Sequence, residues 1–156
     1  MVSRDCTTTA LRGLCSEYGL VAVYVFGSRA AEIGARVTGA EDVAGAADVA
    51  GAAPSTVPSA SDVDIGVQPR RGHELSARDR VHLMQGLEAA LGVDRVDLVL
   101  LPEANAFLAA DVVRGELLAA TDLDAEAEAQ LYYLRRAADL APYLREQWRD
   151  KVGSEL

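Results

Sequence analysis

Two aspartates one residue apart, Asp62-Val63-Asp64, are the residues of this chain best suited to chemistry. Alternate side chains of an extended strand share a face, so both carboxylates point the same way and can share a pair of divalent cations. Upstream, Gly27-Ser28 ends an apolar run; downstream, Asp97 lies inside another. Backbone N–H groups and a hydroxyl on a tight turn at the head of a helix can take phosphate oxygens. These types together suit a phosphate ligand held with metal. Each also has a plainer reading: the aspartate pair as a solvated strand face, Ser28 as a helix N-cap without a ligand, and Asp97 as a solubilising charge, with Asp94 as its weaker substitute.

Positioning such a set requires strands. The apolar run from Leu20 to Phe26 reads as a strand over 21–26, and Val63, Ile65 and Val67 alternate with Asp62, Asp64 and Gly66 along a second strand, 62–67. A third strand runs from Arg95 to Leu101, where Pro102 breaks it, and places Asp97 on one face with Arg95, Val99 and Leu101. Helices are expected between them. Residues 5–18 carry Leu11, Leu14, Cys15 and Tyr18 at helical spacing ahead of Gly19. Ser76 with Asp79 resembles a capping pair for a helix that buries Leu83, Leu87 and Leu91 and ends at Gly92. Another helix is expected over 104–119. The last, 125–148, is expected to carry Leu131, Leu134, Ala138, Ala141 and Trp148 on one side, with Pro142 as a kink or break. Alternating strands and helices give an α/β or α+β layer architecture.

Residues 31–60 interrupt this pattern. Asp42-Val-Ala-Gly-Ala-Ala is repeated at once from Asp48, and Pro54-Ser-Thr-Val-Pro-Ser follows. So little bulk cannot bury enough surface to offset ordering entropy, which predicts a mobile loop, either a tolerated surface expansion or a lid.

The 156 residues, half of them hydrophobic, suit one domain over 1–156 with a proper core. A net charge of −9 argues against a protein that tracks long nucleic acid and fits a nucleotide-plus-metal site or a basic partner. The N-terminus has no apolar core of signal-peptide length and no stretch approaches a membrane span, so a cytoplasmic location is expected. Cys6 and Cys15, nine apart on one helix, are expected to stay reduced and not to bind zinc. His73 and His82 lack partners at ligand spacing and read as structural or solvent-facing. Tyr132, Tyr133 and Trp148 read as core or partner contacts.

The ordered set VYVFGSRA at 23–30, SDVDIGV at 61–67 and RVDLVLLPEA at 95–104 resembles the polymerase-β-like nucleotidyltransferases. Within them it is most similar to the minimal nucleotidyltransferases that act as antitoxins to HEPN-domain toxins. A looser likeness runs through the C-terminal segment. Two departures stand out: 33 residues separate Ser28 from Asp62, and Arg29-Ala30-Ala31-Glu32 follows the turn where the family continues with a basic residue and glycine.

The resemblance implies a small mixed β-sheet flanked by helices. It implies metal-dependent transfer of AMP from ATP, with Asp62 and Asp64 bridging two Mg²⁺ ions, Asp97 as third carboxylate, and Gly27 and Ser28 holding the terminal phosphates. It also implies an acceptor tyrosine on a HEPN ribonuclease toxin, with which the chain would form a hetero-oligomer. Nucleotide transfer to a small molecule, as in aminoglycoside-modifying relatives, and a non-catalytic antitoxin acting through its C-terminal helix stay open as alternatives.

Overall fold

The structure is a computed structural model and describes residues 3–39 and 62–153. Helix α1, Arg4–Tyr18, leads into strand β1, Leu20–Phe26. A 3₁₀ turn over Gly27–Arg29 runs directly into α2, Ala30–Thr38. Strand β2, Val63–Pro69, is followed by α3, Ala77–Leu91, and β3, Val96–Leu100. A second 3₁₀ turn, Leu101–Glu103, precedes α4, Ala106–Val113; then come β4, Glu116–Ala120, and α5, Leu123–Gly153.

The four strands form one mixed sheet in the order β3-β2-β1-β4. β1 lies antiparallel to both β2 and β4, while β2 and β3 run parallel. Strand alternation then divides the core. Val23 and Val25 of β1, Val63, Ile65 and Val67 of β2, and Val96 and Leu100 of β3 pack with α1, α2 and α3 through Leu11, Cys15, Ile33, Leu83 and Leu87. The opposite face packs Ala22, Tyr24 and Leu101 against Ala109, Val112 and Val113 of α4 and Tyr133 of α5. Gly66 lies on this second face, where a Cβ would run into Val112; the missing side chain lets α4 sit close against β2. Asp62, Asp64 and Gly66 belong to one face, but only its glycine end is covered.

Several local signals act as read. Gly19 and Gly92 end α1 and α3 in the left-handed conformation, at φ 63° and 65°. Ser76 and Asp79 form a reciprocal capping box, each side chain bonded to the other's backbone N–H at 3.1 Å. Leu83, Leu87 and Leu91 are buried, as are Leu11 and Cys15. Both cysteines are free thiols.

Four expectations are corrected. The helix expected over 104–119 stops at Val113, and Glu116–Ala120 forms the edge strand β4. Leu117-Leu118-Ala119-Ala120 contains good helix formers, but β1 offers a free edge and the pairing overrides local preference. The loop expected from residue 31 does not start there, because residues 30–38 form α2, which buries Ile33 and Val37, four apart, beneath the sheet. The tandem hexapeptide lies outside the described residues. The third concerns α5, which buries Glu126, Tyr133 and Ala137, whereas Leu131 and Trp148 are 63% and 67% exposed. Tyr24 donates a short hydrogen bond to Glu126 and Tyr133 donates one of 2.8 Å to Gln68, so polar groups on both elements set the docked face. Finally, Pro142 makes no break: it lies inside a continuous helix of 31 residues.

Candidate active site

The sheet places the carboxylates by register. β2 and β3 run parallel with Asp64 beside Asp97 and Val63 beside Val96. In parallel strands, paired residues project to the same face, so the alternation that puts Asp62 and Asp64 together adds Asp97 to them. Asp64 is half-buried, whereas Asp97 lies open. Asp62 stands just before β2, 39% exposed, with its Oδ1 at 3.6 Å from Nε of Arg95.

β1 brings the Gly-Ser turn to the same place. Phe26 pairs with Asp64, so the chain leaves the sheet at Gly27 immediately beside that carboxylate. Gly27 has φ 77°, and a Cβ built on it would strike Oδ2 of Asp64. Both the turn and the close approach therefore require glycine. Ser28 follows in the 3₁₀ turn, exposed, at the head of α2. Whatever path residues 40–61 take, the pairing of β1 with β2 brings the turn and the aspartates together. Arg29, at the end of the 3₁₀ turn, donates hydrogen bonds of 3.1 and 3.2 Å to Glu32 in the first turn of α2.

The electrostatics are those of crowded acids. Burial first, and then the charges of Asp97 and Asp62, hold the Asp64 carboxyl above the usual carboxylate range. Among the described residues no three His, Cys, Asp or Glu side chains converge tightly enough to make a ready ligand cage for an ion. The donor set itself fits a hard divalent cation: every candidate ligand is a carboxylate oxygen, and Asp64 carries a charge that its neighbours oppose. The gap left by the missing Gly27 side chain puts a backbone turn, rather than a methyl group, against that carboxylate.

Arg95 is the residue that motif reading passed over. It precedes Asp97 by two on the same strand face, and only the parallel register reveals that this puts it next to Asp62. His73 and His82 fall outside this cluster, bordering a separate cavity of about 260 Å³ with Glu17 and Asp79.

No family model matches the chain, and no curated protein does. Solved structures of similar fold do exist. The toxin-antitoxin MntA-HepT is 20% identical, with 97% of each chain covered and a TM-score of 0.54. A toxin-antitoxin with AMP-PNP is 23% identical over 90% of this chain and 98% of that one, at a TM-score of 0.53. A tri-AMPylated Shewanella oneidensis HEPN toxin in complex with MNT antitoxin is 21% identical over 94% of this chain and 99% of that one, at 0.51. At these identities the likeness is one of architecture alone: this chain shares with those matched chains an α+β fold, here a four-stranded mixed sheet flanked by helices.

Proposed function

We propose that this chain is a metal-dependent nucleotidyltransferase that acts as an antitoxin, moving AMP from ATP onto a tyrosine of a HEPN ribonuclease toxin. The observation that carries this reading is the adjacency of three parts on three neighbouring strands. The Gly27-Ser28 turn lies against Asp64, and Asp64 lies beside Asp97. Similar folds solved with AMP-PNP and with an AMPylated HEPN toxin support the same substrate pair.

Asp62 and Asp64 would hold two Mg²⁺ ions, and Asp97 would complete the site of one of them. Bound there, the ions neutralise the triphosphate and lower the pKa of an acceptor hydroxyl. The residues divide the remaining work by strand. Backbone N–H groups at Gly27 and the Ser28 hydroxyl hold the terminal phosphates at the head of α2. Asp97, on the outer strand, faces the side from which an acceptor enters. The tyrosine oxygen forms a bond to the α-phosphorus as the α–β bridging P–O bond breaks. Pyrophosphate leaves with that electron pair, and the phenolic proton passes to solvent. Catalysis of this kind is mostly positioning and charge neutralisation, which a small sheet with three carboxylates can supply.

A second reading is neutralisation by contact alone. It is favoured by the outer half of α5, where Leu140, Tyr143, Leu144 and Trp148 are exposed. Co-expression with a HEPN-domain toxin separates the two. Under the enzymatic reading, Asp62→Ala/Asp64→Ala fails to rescue growth although it accumulates as well as wild type. Equal rescue by the variant would leave only the contact reading.

A further inference from the structure

Arg95 stands among the acids in a way the transfer reaction alone does not require. Val63 N–H donates to the Arg95 carbonyl at 3.0 Å, and Val63 pairs with Val96. Arg95 thus occupies the place beside Asp62 that Asp97 occupies beside Asp64. The four side chains form a two-by-two patch, with Asp62 and Asp64 on one strand and Arg95 and Asp97 on the next. The Arg95 guanidinium approaches Asp62 at 3.6 Å yet stays 79% exposed. An ion pair so open to water is weak and easily exchanged. It satisfies Asp62 without locking it.

We propose that Arg95 is a built-in counter-ion that exchanges partners: it holds Asp62 in the cation-free protein, yields it to a divalent cation, and then binds phosphate oxygens of the nucleotide. The proposal rests on the nucleotidyltransferase reading of the same aspartates. Three arguments support the exchange. A divalent cation competes for the Asp62 carboxylate with twice the charge of a guanidinium and a far smaller radius. Once displaced, the guanidinium faces a bound polyanion, and its planar fork of donors suits phosphate oxygens better than an ammonium would.

The third argument is distance. β1, β2 and β3 are neighbours, so the phosphate-holding turn and Arg95 lie about two strand spacings apart, roughly 10 Å. An extended arginine and a phosphate chain together cover that span.

Two binding measurements test this without relying on turnover. Mn²⁺ alone is titrated into the full chain and followed by electron paramagnetic resonance; ATP is then titrated calorimetrically in saturating Mn²⁺. Removing the counter-ion in Arg95→Ala should tighten Mn²⁺ by about threefold, the scale of an exposed ion pair. The same variant should weaken ATP by roughly tenfold, the scale of one lost charged hydrogen-bonding partner. Arg95→Lys should restore wild-type Mn²⁺ affinity while recovering ATP affinity only in part. Shifts of the same sign for cation and nucleotide, or no shift in either, overturn the exchange. Asp64→Asn and Asp97→Asn address the parent reading separately. If Mn²⁺ binding survives in both, the metal site itself is absent; if it is lost there and Arg95→Ala behaves as wild type, only the exchange fails.

Discussion

Asp64 is placed where its own charge is opposed. Burial and two neighbouring aspartates favour its neutral form in the folded protein, so folding raises its pKa above the ordinary 3.8. The resulting stabilisation is fully present below the ordinary value and lost as pH rises through the raised one. At neutral pH without metal, Asp64 therefore weakens the fold. Asp64→Asn should raise the urea midpoint at pH 7, with the difference from wild type vanishing as pH falls to about 4 and below. It should also abolish transfer, the trade-off expected where function demands an unfavourable charge. Gly27→Ala should do the reverse to stability. Its φ of 77° would cost a Cβ-bearing residue about 1–2 kcal/mol, and the new methyl would push the Asp64 carboxylate aside. A loss of at least 100-fold in kcat/KM alongside that modest loss in chemical denaturation is the expected pair of results.

At the scale of elements, polar pairs lock the sheet to α5. Burial and then Tyr132 push the Tyr133 phenol up to about 12, and burial with Glu126 pushes Tyr24 up as well. Both phenols are kept protonated by the fold. The contribution of Tyr133 is intact below the ordinary 10 and is lost as pH climbs from there toward 12, while that of Tyr24 also begins to fall above 10. Thermal melts should thus fall steeply above pH 10, and Tyr133→Phe should flatten that fall while costing about 1 kcal/mol at pH 7 through the lost bond to Gln68. At the other end of the molecule, Ser76→Ala should cost about 1 kcal/mol by opening the capping box of α3, read from its chemical-denaturation midpoint.

These same elements show what the sequence alone could convey. Strands β1, β2 and β3 were legible because alternation and apolar runs are local properties, and the Ser76-Asp79 box because capping is local too. β4 was not, since leucine and alanine commit to neither helix nor strand until the edge of β1 is there to pair with. The docked face of α5 was misread because a glutamate and a tyrosine lie inside while Leu131 lies outside. Helix α2 could have been found: Ala30, Ile33 and Val37 keep helical spacing ahead of Gly39, at φ 78°. The low-complexity sequence beyond it obscured that signal. For the candidate site, residue types and parity pointed to Asp62, Asp64 and Asp97 as one set, but the place of Arg95 depends on a parallel register that no single segment encodes.

The whole molecule is acidic, with a net charge of −9, and no helix among the described residues is long and apolar enough to cross a membrane. A net negative surface disfavours long polyanions, and the proposed site would take cations and one small triphosphate. The central claim is that these parts act together as an AMP-transferring enzyme. The direct measurement is transfer of label from ATP marked at the α-phosphate, in Mg²⁺, to a HEPN-domain toxin. Wild type and Asp62→Ala/Asp64→Ala are compared, and the labelled residue is mapped by mass spectrometry. The account predicts label on a tyrosine of the partner with wild type and none with the variant. It would be contradicted by folded wild-type protein that neutralises the partner in ATP and Mg²⁺ yet leaves it unlabelled.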